Sequence, residues 1–466
     1  MPDTKLTVDD ITGVVGIIPT PSIPTADQPD TTFSVDLDEA ATLADSMVRG
    51  GVDVLMTTGT FGECASLTWD ELQSFVATVV DAVAGRIPVF AGATTLNTRD
   101  TITRGRRLGE LGADGLFVGR PMWLPLDDAG IVRFYRDVAE ALPNLAMVVY
   151  DNPGAFKGKI GTPAYEALSQ IPQVVAAKHL GLLSGSAFLS DLRAVGGRVR
   201  LLPLETDWYY FARLFPEEVT ACWSGNVACG PAPVTHLRDL IRARRWDDCQ
   251  TLTDELEAAL ETLYPGGNFA EFLKYSIQID NAQFQAAGFM RTGPTRPPYT
   301  EVPESYLAGG REAGKNWAAL QQRYVKALGY VGVESPDAKE WLEFGPEVLG
   351  MEAVEAACGS VLLRIDDADH RLAVHHGERN RMLYAGWDVG SEEAVEAAGE
   401  LLHRQGIGFE VGTEEDCAAR GVLGFLTLSD PSGLRHELFY GQKVVPGSFR
   451  PGRAISGFVG SFGVAS

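Results

Sequence analysis

The sequence predicts an α/β fold, a (β/α)8 TIM barrel with a C-terminal helical extension, followed by a smaller α+β domain of two βαβββ modules. Two observations carry this reading. Up to about residue 230, short β-branched apolar runs alternate with longer amphipathic stretches, and near Gly329 that pattern gives way to a weak internal repeat.

The apolar runs are GVVGIIPT from Gly13, VDVLMTTGT from Val52, IPVFAGAT from Ile87, GLFVGRP from Gly115, NLAMVVYDN from Asn144, VVAAKHLG from Val174, VRLLPLET from Val199 and VTACWSGN from Val219. Near-continuous apolar strands of this length, separated by helix patterns such as DEAATLADSMVRGG and DTITRGRRLGELGA, describe parallel strands covered by helices. Eight such units close most simply into a barrel. Residues 232 to 325 read as helices packed on it, as in THLRDLIRARRWDDCQTLTDELEAALETL, whereas the Pro-rich segment Gly293 to Tyr299 reads as a loop. In the repeat, Tyr330-Val331-Gly332-Val333 opens one unit and Tyr384-Ala385-Gly386-Trp387 the other. Each is followed by a helix pattern and two strand-like runs, VLLRID and RLAVHH, then GFLTLSD and RHELFYG. The expected domains are residues 1–327 and 328–466.

Composition excludes several classes. With 45% hydrophobic and 22% charged residues, the 466-residue chain has the make-up of a globular protein, and its formal charge of −23 opposes nucleic acid and anionic membranes. Six cysteines (Cys64, Cys222, Cys229, Cys249, Cys358, Cys417) lack CxxC spacing, which gives no support to a zinc knuckle or redox pair and fits a reducing cytoplasm. The start, MPDTKLTVDD, has no apolar leader run, and no stretch approaches the ~18 apolar residues of a membrane span.

Barrel chemistry gathers at the C-terminal ends of the strands. The second strand runs into Thr58-Gly59-Thr60-Phe61-Gly62-Glu63, where glycines let backbone N–H groups approach a carboxylate. The fourth runs into Gly119-Arg120-Pro121-Met122-Trp123, and the fifth into Tyr150-Asp151-Asn152-Pro153. Of nine lysines, eight (Lys5, Lys157, Lys159, Lys274, Lys315, Lys326, Lys339, Lys443) sit in polar, helical or loop contexts. Lys178 follows Val174-Val175-Ala176-Ala177, where desolvation lowers its pKa toward the free amine that attacks a ketone. The alternative is a lysine paired with Glu63 or Glu205. Tyr150 is packing or, beside Lys178, a proton shuttle, and Trp123 is core or substrate platform. His179 points to the opposite face of its strand, toward the outer helices.

The set GTFGE, YDNP and a strand-borne AAK resembles the class I aldolases of the dihydrodipicolinate synthase and N-acetylneuraminate lyase superfamily. TTGTFGECASLTW, GRPMWLPLDD, VVYDNPGAFKGKI and AGFMRTGPTRPPY further resemble its trans-o-hydroxybenzylidenepyruvate hydratase-aldolases of naphthalene and phenanthrene breakdown. The resemblance implies Lys178 as Schiff-base residue, Tyr150 as acid/base, Gly59 and Thr60 holding the pyruvoyl carboxylate, and Asn152 and Trp123 lining the aryl side. It implies an arylidene pyruvate as substrate, pyruvate as product, no metal or organic cofactor, and a homo-oligomer, tetramer or trimer. Gly154-Ala155-Phe156 stands where the synthases carry an arginine for a second carboxylate, and Phe61 replaces a threonine of their GTTGE motif, which disfavours lysine biosynthesis. Another pyruvate aldolase activity is the alternative within the superfamily.

GYVGVESPDAKEWLEFGPEVLGM, LYAGWDV, GFLTLSDPSGLRHELFYG and FRPGRAISGFVG resemble the N-terminal half of extradiol dioxygenases, a vicinal oxygen chelate fold. In those enzymes the iron lies in the other half. His375 and His376 are adjacent on a strand and face opposite ways, and Glu437 is the one tempting ligand. The domain reads as a binding or assembly module without a metal site, against the alternatives of an iron-dependent ring-cleaving dioxygenase and of an adaptor for a separate one.

Overall fold

The structure, a computed structural model, describes residues 6–181, 186–322, 327–356, 359–404, 406–445, 449–453, 459–460 and 463–464. Lys5, Lys326, Cys358 and the middle of the FRPGRAISGFVG stretch lie outside the described residues. The chain divides into two compact units, Met1–Gln321 and Gln322–Ser466.

All eight apolar runs form strands: β1 (Gly13–Ile17), β2 (Val54–Met56), β3 (Val89–Gly92), β4 (Gly115–Gly119), β5 (Ala146–Tyr150), β6 (Val174–Lys178), β7 (Arg200–Leu202) and β8 (Ala221–Ser224). They pair in parallel in chain order, with β8 returning to β1 in the register Val15↔Trp223. A parallel bridge between Leu204 and Trp223 closes the barrel between β7 and β8.

Alternation along the strands sorts the side chains into two cores, as a closed parallel barrel requires. Val15, Ile17, Val54, Met56, Phe90, Phe117, Val148, Ala176 and Leu202 fill the interior. Val14, Leu55, Ala91, Leu116, Val149, Ala177 and Leu201 pack outward against the helices. Lys178 shares the parity of Ala176 and faces inward, and His179 shares that of Ala177. His179 is fully buried, with its Nε2 3.0 Å from Asp191 Oδ2 on the helix Ala187–Val195 and its ring against Tyr165 and Phe188.

The turn after β2 is held tightly. Thr58 has a φ of 45°, and a Cβ on Gly92 at the end of β3 would lie 2.2 Å from Thr58 Oγ1, so only glycine admits this approach. Helix Trp69–Val83 then starts at Thr68, whose hydroxyl accepts from Glu71 N while the Glu71 carboxylate accepts from Thr68 N, a capping box that fixes where the loop ends.

The extension comprises helices Ala232–Arg242, Trp246–Leu260, Phe269–Lys274, Ser276–Ala287 and Glu304–Gln322. The long helical pattern after residue 234 breaks into two at Arg244, which has a φ of 54°. The Pro-rich loop carries Arg296, only 2% exposed, which pairs with Glu63 Oε1 at 2.8 Å. Its backbone N–H donates to Glu63 Oε2 at 2.8 Å, and its guanidinium also donates to Ser34 Oγ and to the carbonyls of Thr20 and Pro21.

In the second unit, β9 (Ala327–Ser335), β10 (Glu352–Glu355), β11 (Val361–Arg364) and β12 (Leu372–His376) form one module. β13 (Arg381–Asp388), β14 (Glu410–Val411), β15 (Gly424–Ser429) and β16 (Arg435–Tyr440) form the other, with helix Glu392–Arg404 after β13. The sheet order is β10-β11-β12-β9-β13-β16-β15-β14, so the strands opened by the two repeats lie side by side at its centre, antiparallel.

Removing one member of a buried ion pair strands the other charge, at a cost of about 3–5 kcal/mol. Arg296→Met should therefore lower the barrel's unfolding transition in urea by that order, and Glu63→Gln added to it should restore part of the loss.

Candidate active site

Lys178 ends β6 with 7% of its surface exposed. Its Nζ lies 3.3 Å from the centre of the Trp223 ring and 5.1 Å from that of Tyr150. Neither predicted ion pair forms: Glu63 is taken by Arg296, and Glu205 accepts a hydrogen bond from Asn226 Nδ2. Asp151 is 3.4 Å from Arg120. Burial thus dominates, and it brings the Lys178 ammonium down to about 7, against the weaker attractions of Glu205, Asp280 and Asp151.

Tyr150, at the end of β5, points the same way. Its hydroxyl lies 2.7 Å from Thr60 Oγ1 and accepts from Asn152 Nδ2 at 3.1 Å; the same amide reaches Thr60 Oγ1 at 3.3 Å. Burial raises the phenol's pKa, with the hydrogen bonds from Thr60 and Asn152 opposing it. The ring is fixed by Phe117 at 4.4 Å and Phe156 at 5.1 Å. Asn152 also caps the short helix Pro153–Phe156 by accepting from Ala155 N at 3.2 Å, so its side chain has one orientation.

These groups line a cavity of about 120 Å³. Gly59, Thr60, Tyr150, Asn152, Lys178 and Trp223 form its floor and one side, while Phe61, Leu263, Tyr264, Phe269, Phe272, Leu273 and Phe284 form an apolar wall. Phe61 packs edge-on against Phe284 at 5.4 Å. The lining suits a planar apolar group attached to a short polar end.

Of the residues read from sequence, Lys178, Tyr150, Gly59, Thr60 and Asn152 converge. Trp123 does not. It sits on the loop after β4, 75% exposed and away from the lining, with only its carbonyl engaged, by Lys157 Nζ at 2.8 Å. The loop is buried or half-buried through Met122 and exposed from Trp123, and Phe269, Phe272 and Leu273 of the helix Phe269–Lys274 line the cavity in its place. Sequence reasoning missed Trp223, Asn226, Asp280 and Gln283, which all line the cavity. The dense aromatic stretch YPGGNFAEFLKY was the one available signal for the wall. Asp280, 8% exposed, is held well above the ordinary carboxylate range by burial.

In the second unit Glu437, the tempting ligand, is fully buried and engaged by Tyr330 OH at 2.8 Å, Arg420 Nε at 3.0 Å and Arg435 Nε at 3.2 Å. His375 lies between Ser360 Oγ at 2.8 Å and Tyr384 OH at 2.7 Å.

Residues 15–181 match the model of the dihydrodipicolinate synthetase family, and residues 328–377 match that of dihydroxybiphenyl dioxygenase BphC D1. The trans-2'-carboxybenzalpyruvate hydratase-aldolase of Nocardioides sp. (strain KP7) is 55% identical over 329 residues, covering 70% of this chain and 99% of that protein. The trans-O-hydroxybenzylidenepyruvate hydratase-aldolase of Pseudomonas aeruginosa is 46% identical over 332 residues, covering 70% and 98%. A solved structure described as PhdJ bound to substrate intermediate is 97% identical, with a TM-score of 0.69, over 69% of this chain and all of its own. The C-terminal part is 38% identical over 135 residues to the 1,2-dihydroxynaphthalene dioxygenase of Sphingobium xenophagum, of whose length it spans 45%. With a barrel that spans its hydratase-aldolase relatives almost end to end, the chain belongs to the dihydrodipicolinate synthetase family of class I aldolases and lyases.

Proposed function

We propose that the barrel is a hydratase-aldolase that adds water to an arylidene pyruvate, such as trans-o-hydroxybenzylidenepyruvate, and cleaves the adduct to an aromatic aldehyde of the salicylaldehyde type and pyruvate. The observation that carries this is a buried, unpaired Lys178 amine opening into an aromatic-walled cavity beside a hydrogen-bonded Tyr150.

The Lys178 lone pair attacks C2 of the keto acid, and loss of water from the carbinolamine leaves an iminium. Conjugation draws electrons from C4, so water adds there and a proton is taken up at C3. Deprotonation of the new C4 hydroxyl then breaks C3–C4, with the electron pair passing into the iminium to give aldehyde and enamine. Protonation at C3 and hydrolysis release pyruvate and the free lysine. Tyr150 moves these protons, tuned by Thr60 and Asn152, while Gly59 and Thr60 hold the pyruvoyl carboxylate and Asn152 meets the aryl side. The apolar wall from Phe61 to Phe284 accepts the ring, and Asp280, whose carboxyl is raised well above the ordinary range by burial, faces the same cavity. No step requires a metal or organic cofactor.

We further propose a homo-oligomer, a tetramer or trimer of barrels. Trp123 and Leu124, exposed on one loop at 75% and 70%, support it as apolar surface that a lone barrel leaves wet. Residues 1–327 would form the enzyme, in line with a 97% identical solved structure whose entire chain covers 69% of this one. Residues 328–466 would serve binding or assembly; the cations around Glu437 favour this over iron-dependent ring cleavage. The five described cysteines are unpaired, in keeping with a cytoplasmic setting.

Incubation with pyruvate and borohydride should leave one reduced adduct on Lys178, read by intact mass and peptide mapping; an unmodified protein sinks the proposal. Tyr150→Phe should retain binding and lower kcat by roughly 10²- to 10⁴-fold, the range for a lost proton-transfer group. Lys178 should also weaken the fold. Its folded pKa of about 7 lies below the ordinary 10.5, so charging the buried amine costs stability fully below pH 7 and not at all above about pH 10.5. Lys178→Met should therefore melt above the wild type, with the gap widest in acid and closing toward pH 10 in thermal scans.

A further inference from the structure

Glu205 is the first residue of the helix Glu205–Leu214, just beyond β7 at the same end of the barrel as Lys178, and it is fully buried. One of its oxygens accepts from Asn226 Nδ2; the other, Oε2, has no hydrogen-bond partner. Asn226 is oriented in turn by Gln283, whose Nε2 donates to Asn226 Oδ1 at 2.8 Å, and both amides line the cavity. A carboxyl kept only for structure is satisfied on both oxygens, because an orphaned buried acceptor costs about 1–3 kcal/mol. Here half of the carboxyl is left open, at a helix N-terminus where the backbone favours negative charge.

We propose that Glu205 is a positioning residue of the lyase site, the buried counter-charge of the cation that Lys178 becomes when it condenses with the keto acid, held in place by Asn226 and Gln283. The inference rests on the aldolase reading above. Condensation joins a neutral amine and a ketone, takes up one proton from water and releases one water molecule. It converts Lys178 into a fixed cation that Trp223 and the apolar wall cannot neutralise. The groups that face Lys178 are few. Glu205 comes from the helix after β7, Asp280 from the helix Ser276–Ala287, and Asp151 from the end of β5; the aromatic faces are those of Tyr150 and Trp223. Asp151 is already paired with Arg120, and Asp280 lines the cavity where the substrate must lie. Glu205 alone is both outside the space the substrate occupies and free of a cationic partner. Burial pushes its own carboxyl up to about 7, against the Asn226 hydrogen bond that lowers it, so the arrival of a cation next to it favours the ionised form.

The test is the pH dependence of borohydride trapping by pyruvate, with kcat on an arylidene pyruvate, in the full chain. Loss of a neighbouring negative charge lowers the proton affinity of Lys178. In Glu205→Gln the midpoint of trapping near pH 7, where the wild-type carboxyl is partly ionised, should therefore move down by about half a pH unit, a roughly threefold gain in free amine at that pH, with the profiles converging in acid where the wild-type carboxyl is itself protonated. Its kcat should fall at least about tenfold, because the cation is less stabilised, while Glu205→Asp should keep a near wild-type profile. Asn226→Leu removes the donor that favours the ionised carboxyl and should shift the midpoint the same way, which gives a second reading if Glu205→Gln folds poorly. Superimposable profiles with an unchanged kcat in both variants overturn the counter-charge. Absence of trapping in the wild type instead overturns the aldolase reading itself.

Discussion

The open end of the barrel is organised around one costly requirement, that an amine be held out of water without a counter-ion in contact. Strand parity delivers it. Because Ala176 faces the interior, Lys178 two residues later must also do so, and the apolar run VVAA guarantees that it arrives in a dry place. The price is the work of desolvation, which the Trp223 face offsets only in part, since a cation–π contact is worth about 2 kcal/mol when desolvated. In the mechanism proposed above the same dryness would serve the chemistry, because the amine would have to be free to attack and the iminium formed from it would have to be a strong electron sink.

A dry site also needs walls that do not move. The turn after β2 is pinned from both sides, by Gly92 beneath Thr58 and by Arg296 reaching from the extension to Glu63. Arg296 lies far from GTFGE in sequence, yet it binds that loop's acid and the carbonyls of Thr20 and Pro21, tying the extension to the ends of β1 and β2. Opposite, Asp151 is bound by Arg120, Tyr165 OH and Ile160 N, which fixes the segment that presents Asn152. The hydrogen-bonded set of Thr60, Tyr150 and Asn152 is therefore assembled from two loops, each with its own buried cation behind it.

What was legible in the sequence follows from this division. Strands β1 to β8 were legible because burial on both faces writes itself as an unbroken apolar run, and Lys178 stood out because it interrupts one. Loop residues adjoining strand ends, Gly59, Thr60, Tyr150 and Asn152, were legible for the same reason. Glu205 was visible only as a possible partner for Lys178, and Asn226 and Gln283, which hold it, come from two further elements with no shared local pattern. Trp123 and Trp223 show the limit most plainly. Both belong to apolar runs of the sequence, but β4 ends four residues before Trp123, whereas Trp223 lies within β8 with inward parity. In the second unit, β10 and β14 went unnamed because edge strands of four and two residues, half of them charged, carry too little apolar pattern to be read.

Two buried charges, Glu437 in the second unit and Lys178 in the barrel, are treated in opposite ways. Glu437 is as buried as Lys178, but Arg420 and Arg435 face it, Tyr330 donates to it, and the Arg420 guanidinium lies 3.9 Å from the Tyr384 ring centre. A carboxylate so compensated has its lone pairs occupied, and freeing it for a metal or a proton would strand two arginines. Such a cluster ties together β9, β13 and β16, the central strands of the sheet. At Lys178 the compensation is withheld: it has aromatic faces and carboxyls that make no ion pair with it in place of a partner. A buried charge left without an ion pair marks a candidate for chemistry, and in the barrel that charge is Lys178.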